Sequence, residues 1–127
     1  MKHSKLWYLS QEITVDRNRL TLWMKEEKLR VLINDLPYSF GGEHGMSVTD
    51  IYMKGWKNLM WVLEFREKTE LGDILVHPVL VFFDKKNNKF YYKQVHSENE
   101  FKNVAGKRNW QRYMKYSNLR CSLYKLN

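Results

Sequence analysis

The chain has 127 residues, about the length of one domain, and 43% of them are apolar and 15% aromatic. This content excludes intrinsic disorder, which combines charge with a shortage of apolar and aromatic residues. The single cysteine, Cys121, excludes an intramolecular disulfide and CxxC motifs, so we expect a reducing, cytoplasmic compartment. No segment approaches the roughly 18 consecutive apolar residues of a membrane span, and no membrane partner is expected.

The first third of the chain alternates apolar and polar residues, which is typical of β-strands. Strands are predicted at residues 5–9, 12–15, 20–24 and 29–33, with reversals at 16–18 and 26–27. These segments predict an antiparallel β-meander. Residues 34–46 contain Pro37 and three glycines and are interpreted as the longest loop.

The middle of the chain predicts a helix followed by strands. Apolar residues at positions 48, 51, 52, 56 and 59 share one face at 100° per residue, so we predict a helix from about Val48 to Asn58. Residues 60–66 alternate and predict a strand, although a continued helix also fits their apolar positions. Residues 74–83 predict a strand that Pro78, which lacks an N–H, places at an edge or breaks. Residues 79–83 and 90–95 form the clearest hairpin.

Two helices are predicted near the C-terminus. Ser97 and Glu100 form a capping box, and Gly106 ends the helix that follows. A second helix is predicted from about Asn109 to Ser117, and residues 120–126 alternate as in a strand. The predicted fold is therefore a single α+β domain in which antiparallel β-meanders pack with two or three short helices.

The net charge of +8 is unevenly distributed along the chain. Residues 1–80 contain eleven basic and eleven acidic residues, whereas residues 81–127 contain eleven basic and three acidic ones. Such asymmetry indicates a polyanionic partner. The alternative interpretation is an ordinary solvated surface of a chain rich in lysine and asparagine.

The basic residues predict a nucleic-acid-binding surface, because lysine and arginine neutralise phosphates and release condensed counterions. Tyr91 and Tyr92 point to opposite faces of a strand, so we expect one of them to be exposed and able to stack on an unpaired base. The predicted binding residues lie at the hairpin tip, on one side of the second helix and in the strand after the hairpin: Lys85, Lys86, Lys89, Lys107, Arg108, Arg112, Lys115, Tyr91 and Tyr92.

Other candidate sites are weaker. The glycine-rich loop at 39–45 matches no phosphate-binding motif. The four histidines lack ligand spacing, so no metal or cofactor is predicted, and no catalytic residue is assigned. His44 beside Glu43 is interpreted as a loop histidine rather than a general acid or base. Met53 and Trp61 fall off the predicted apolar face and are candidates for a homodimer or protein interface.

The sequence thus predicts a small accessory protein that binds nucleic acid or a nucleoprotein complex. One alternative is a protein-binding inhibitor or accessory factor of phage or mobile-element type. Another arises because residues 61–96 resemble the central sheet of RelE-type messenger-RNA-cleaving toxins, in which basic residues and tyrosine assist cleavage. That resemblance implies a metal-free ribonuclease, although the N-terminal meander and the two C-terminal helices depart from that family.

Overall fold

A computed structural model describes residues 6–38, 48 and 50–120, which form two antiparallel sheets and two helices. In each sheet the spatial order of the strands follows the chain order. The first sheet contains β1 (Tyr8–Val15), β2 (Asn18–Lys25), β3 (Lys28–Ile33) and β4 (Leu36–Tyr38). The second contains β5 (Asp50–Trp56), β6 (Met60–Lys68), β7 (Ile74–Asp84) and β8 (Lys89–Gln94), and α1 (Glu98–Ala105) and α2 (Lys107–Arg120) follow. The α+β prediction is confirmed.

The second sheet is the middle of three layers. Successive residues of a strand face opposite sides, so Leu63 and Phe65 of β6 pack against Leu22 and other core residues of the first sheet. Val62, the residue before Leu63 on β6, points to the opposite side and packs against Phe101 and the helices. Burial on both faces explains the nearly continuous apolar runs of the two central strands, β6 and β7.

The helix predicted for residues 48–58 is wrong. Asp50–Trp56 is strand β5, paired with β6 from Asp50↔Arg66 to Trp56↔Met60. β5 is an edge strand with apolar residues on both faces, because Ile51 and Met53 pack toward the first sheet and Trp56 packs toward the helices. Their spacing imitates a helical period. Gly55 lies against the Trp61 indole, where a Cβ atom would overlap the ring.

The other strand predictions are confirmed with adjusted limits. The two short strands predicted at 5–9 and 12–15 are one strand, β1, with an irregularity between Leu9 and Gln11. β4 lies inside the segment interpreted as a loop. The rest of that loop, residues 39–46 with Glu43 and His44, lies outside the described residues. Of the final strand predicted at 120–126, Arg120 is the last residue of α2, and the others lie outside the described residues.

Pro78 does not break β7. The pairing of β7 with β8 ends at Val79↔Gln94, and the Pro78 carbonyl still accepts a hydrogen bond from the Val95 N–H at 3.2 Å. Pro78 has no N–H to return. β7 is therefore continuous. Pro78 lies at the point where β8 ends, so that from there toward Ile74 only β6 is paired with β7.

The predicted capping box is present at the start of α1. The Glu100 N–H donates to Ser97 Oγ at 3.1 Å, and the His96 N–H donates to Glu100 Oε2 at 3.1 Å. Gly106, with φ of 89°, ends the helix, and α2 begins at the next residue. Within the described part of the chain, no helix is long and apolar enough to cross a membrane.

Candidate nucleic-acid interface

Two turns from each meander lie together at one end of the molecule, and the remaining turns lie at the other end. In a meander every second turn returns to the same end, so the β5–β6 turn (57–59) and the β7–β8 turn (85–88) share one end of the second sheet. In the first sheet, the β1–β2 turn (16–17) and the β3–β4 turn (34–35) share an end in the same way. Asn18 Nδ2 donates to Asn88 Oδ1 at 2.9 Å. This hydrogen bond places the two turns of the first sheet beside the two turns of the second sheet.

The corner between the helices lies at this same end. Asn58, in the β5–β6 turn, donates from Nδ2 to Asn109 Oδ1 at 3.4 Å. We call the surface formed by residues 16–17, 34–35, 57–59, 85–88 and 107–108 the basic end. It contains two acidic residues, Asp16 and Asp35, and six basic ones: Arg17, Lys57, Lys85, Lys86, Lys107 and Arg108.

The opposite end of the sheets has the opposite charge. The Val48 N–H donates to the Glu27 carbonyl at 3.1 Å, which places the β2–β3 turn beside the start of β5. The β6–β7 turn lies at that same end of the second sheet. We call residues 26–27 and 69–73 the acidic end; they contain four acidic residues, Glu26, Glu27, Glu70 and Asp73, and no basic ones.

The structure brings most of the predicted binding residues together. Lys85, Lys86, Lys107 and Arg108 belong to the basic end, and Lys89 and Arg112 follow it in β8 and α2. Lys115 continues the helical row about 10 Å from Arg108, at 1.5 Å per residue. All seven side chains are exposed.

Sequence reasoning missed Arg17 and Lys57, because both lie in the stretch of zero net charge before residue 81. The signal that finds them is the position of each turn in the meander, not the local charge. That signal depends on recognising β5 as a strand, since only then does the β5–β6 turn fall at the same end as the hairpin tip.

The hairpin tip is held by its own aspartate. Asp84 Oδ1 accepts hydrogen bonds from the N–H groups of Lys86 at 2.9 Å and Asn87 at 3.3 Å, and Oδ2 accepts one from Asn87 Nδ2 at 2.7 Å. Such a side-chain to backbone turn fixes the loop. The adjacent lysines are therefore presented from an ordered backbone.

A cleft of about 360 Å³ opens between the edge strands β4 and β8, next to the basic end. Tyr38 of β4 and Tyr92 of β8 meet there edge to face, with ring centroids 5.0 Å apart. Tyr92 is half-buried, whereas Tyr91 is 41% exposed and has Lys89 Nζ 5.0 Å from its ring centroid. One of the adjacent tyrosines is thus exposed, as predicted.

Three asparagine amides form a hydrogen-bonded chain along the cleft. The Arg19 N–H donates to Asn34 Oδ1 at 2.8 Å, Asn34 Nδ2 donates to Asn18 Oδ1 at 3.0 Å, and Asn18 Nδ2 donates to Asn88 Oδ1. Asn34 and Asn88 have φ of 52° and 55°, a left-handed conformation that asparagine tolerates. This chain links both sheets at the basic end.

A second polar cluster lies beneath α2. Glu64 is 1% exposed, and its Oε2 accepts a hydrogen bond from the Tyr113 hydroxyl at 2.5 Å. Its Oε1 lies 3.4 Å from Arg66 Nη2, and the Arg66 guanidinium lies 3.6 Å from the Tyr52 ring centroid. Sequence reasoning did not select this cluster, although Glu64 and Arg66 are two residues apart on a predicted strand and so share a face.

The outer part of this cluster contains Tyr116 and Lys54. Lys54 Nζ lies 5.7 Å from the Tyr116 ring centroid. Burial raises the pKa of the Tyr116 phenol above its usual range, and the nearby Arg66 charge partly offsets that rise. The phenol therefore stays protonated over a wider pH range than that of an exposed tyrosine.

The remaining predicted site residues pack against the core. Met53 and Trp61 both face the first sheet and are half-buried against the core between the sheets. The Trp61 ring lies 6.4 Å from that of Phe90. A role for Met53 and Trp61 in a protein interface stays a prediction. Among the described residues, no three His, Cys, Asp or Glu side chains form a metal-binding group.

The chain matches no protein-family model, no curated protein and no solved structure. The resemblance of residues 61–96 to RelE-type toxins therefore stays an expectation. The function has to be inferred from the geometry and charge of the surfaces described above.

Proposed function

We propose that this protein is a small cytoplasmic accessory protein that binds nucleic acid, free or within a nucleoprotein complex, through its basic end. One observation carries the proposal: five separate connections place six basic and only two acidic residues at one end of the molecule. The lone cysteine of the sequence favours the reducing compartment.

The basic end suits a polyphosphate for two physical reasons. Each lysine or arginine that neutralises a phosphate releases condensed counterions, which supplies sequence-independent affinity. The acidic end has no net positive charge even when its flanking Lys25, Lys28 and Lys68 are counted, so the field of the whole molecule orients an approaching strand toward the basic end. The α2 row of Arg108, Arg112 and Lys115 extends the contact away from the turns.

The direct test compares two triple charge reversals of equal size. Binding of a fluorescent 20-nucleotide single strand is measured by anisotropy between 50 and 200 mM salt. We expect R108E/R112E/K115E to weaken binding and flatten its salt dependence. The control, K25E/K28E/K68E, changes residues that flank the acidic end and should have a smaller effect.

Two results would refute the proposal. The first is the absence of binding by the unaltered protein at 50 mM salt. The second is an equal loss of affinity in both triple variants, which would mean that total charge, rather than the basic end, determines binding.

A metal-free ribonuclease is the second candidate, and the cluster around Tyr116 favours it. Lys54, which is exposed beside the Tyr116 ring, supplies positive charge of the kind that stabilises a phosphorane transition state. The Tyr116 phenol carries a proton that it can donate to a leaving group, although burial, which raises its pKa, makes it a weaker acid than an exposed tyrosine. Cleavage of labelled RNA in EDTA, lost in Tyr116→Phe, and growth arrest on expression are the expected outcomes. Cleavage that persists in Tyr116→Phe would contradict this role.

A further inference from the structure

One face of β8 carries two lysines with a tyrosine between them. Alternate residues of a strand face the same side, and the three that share this side, Lys89, Tyr91 and Lys93, are all exposed. The Lys89 Nζ atom lies 5.0 Å from the Tyr91 ring centroid, so these two side chains are neighbours. We call the three residues the β8 track. Adjacent members of the track are about 6.6 Å apart along the strand.

The helices leave the β8 track uncovered. Tyr91 pairs with Phe82 of β7, whose side chain packs toward the helices, so the track lies on the helix side of the second sheet. β8 is the last strand of that sheet. Tyr91 is 41% exposed there, on the face opposite the contact between Tyr38 and Tyr92. Its ring is therefore accessible to a ligand that approaches from solvent.

The β8 track is continuous with the basic end. Lys89 follows the hairpin tip directly, and Lys93 lies about 13 Å farther along the strand, away from that end. The acidic residue paired with Lys89 is Asp84, whose two carboxylate oxygens already accept hydrogen bonds from the hairpin tip. A chain of phosphates that crosses Lys85 and Lys86 of the tip therefore meets further positive charge along β8.

The spacing and order of the β8 track fit an extended single strand. Two residues of a β-strand advance about 6.6 Å, close to the separation of successive phosphates in such a strand. The lysines can neutralise phosphates while the ring between them stacks on a base, a combination typical of sequence-tolerant single-strand sites. Bases inside a duplex are stacked on their neighbours, so they offer no free face to the Tyr91 ring. The track is therefore suited to an unpaired strand rather than a duplex.

We propose that the β8 track binds an unpaired segment of nucleic acid that extends from the basic end. One base stacks on Tyr91, and Lys89 and Lys93 hold phosphates on either side of it. Because every base has a π face, the site accepts any base. This inference rests on the proposed function and adds to it the class of ligand, a single strand, and a binding residue that the sequence did not indicate, Lys93.

The test separates stacking from phosphate binding by fluorescence anisotropy at constant salt. The probes are a mixed-sequence 20-nucleotide DNA strand, an RNA strand of the same sequence, a DNA strand of the same length and charge made of abasic sites, and a 20-base-pair duplex. We expect the base-bearing strands to bind more tightly than the abasic strand. The DNA and RNA strands show which sugar the site prefers, and the duplex reports phosphate binding without free base faces.

Tyr91→Ala removes the ring of the β8 track without changing its charge. We expect binding of the base-bearing strands to weaken by roughly five- to 150-fold, the range for loss of one base–aromatic stack, with little change for the abasic strand and the duplex. Tyr91→Phe should retain the affinity. The matched control is Tyr8→Ala, which removes a tyrosine that is 53% exposed on β1, at an edge of the first sheet.

Lys93→Gln tests the far end of the β8 track. We expect it to reduce the magnitude of the slope of log K against log salt by about 0.7 for a base-bearing strand, the value for one phosphate contact. Lys28→Gln, which removes an exposed lysine at the start of β3, should leave the slope unchanged. Circular dichroism confirms that each variant is folded.

The outcomes separate the two proposals. If Tyr91→Ala binds the base-bearing strands as tightly as the unaltered protein does, or loses the same factor for the abasic strand, the stacking assignment is overturned. An unchanged salt slope in Lys93→Gln overturns the path along β8. In either case, weakened binding in R108E/R112E/K115E still supports the basic end. No binding of any probe at low salt overturns both proposals.

Discussion

Lys57 provides a sharp test of the basic end, because it lies in the part of the sequence that has no net charge. The β5–β6 and β7–β8 turns are about 10 Å apart, two strand spacings across the second sheet. If one nucleic-acid strand crosses both turns, Lys57→Gln and Lys85→Gln each remove one phosphate contact. A surface confined to residues 81–127 predicts an effect of Lys85→Gln alone.

The magnitude follows from counterion release. Loss of one contact lowers the slope of log K against log salt by about 0.7 for a single strand. Between 50 and 200 mM salt, the affinity ratio of the unaltered protein to the variant should therefore fall by about two- to threefold. We expect this change in both variants, measured by anisotropy titrations at several salt concentrations.

Lys28→Gln is the control, since Lys28 begins β3 beside the acidic end. It should leave the slope unchanged. A reduced slope in Lys85→Gln with an unaltered slope in Lys57→Gln would refute the argument that the turns act as one surface.

Three further predictions concern the fold. Glu64→Ala removes the carboxylate from a buried guanidinium and should lower the free energy of unfolding by about 3–5 kcal/mol; urea denaturation measures this, and a loss no larger than that of exposed Glu70→Ala would contradict it. Gly55→Ala pushes a methyl group into the Trp61 ring and should cost about 1–3 kcal/mol, seen as a lowered Tm; an unchanged Tm would oppose the close contact. The raised pKa of Tyr116 means that the unfolded chain loses this proton first as pH rises past about 10. The free energy of unfolding should therefore fall between pH 10 and the higher pKa of folded Tyr116, by about the amount that linkage predicts. The Tyr116→Phe variant should lack this part of the fall; identical profiles of unfolding free energy against pH in the two proteins would contradict the prediction.

Elements defined by local patterns could be predicted from the sequence. The alternation of residues 20–24 and 29–33, the hairpin around 84–89 and the Ser97 capping box all depend on residues a few positions apart, and the structure contains each of them. β5 could not be predicted because its two-sided burial depends on layers formed by distant parts of the chain. Its apolar spacing fits a helix equally well.

The candidate sites depend still more on long-range placement. The Asn18–Asn88 hydrogen bond joins residues 70 positions apart, and the Tyr113–Glu64 bond joins residues 49 apart. No local pattern indicates either contact. The charge excess after residue 80 correctly selected exposed lysines and arginines. The sequence could not show that Arg17 and Lys57 lie at the same end of the sheets.

The most direct test of the central proposal is to map where a bound strand lies. A 20-nucleotide strand that contains photoreactive 5-iodouracil is cross-linked at low salt, and the modified peptides are identified by mass spectrometry. We predict cross-links in peptides that contain residues 57–59, 85–92 and 107–115, with none at residues 26–27 or 69–73. Cross-links concentrated at the acidic end, or spread evenly over the surface, would contradict the account.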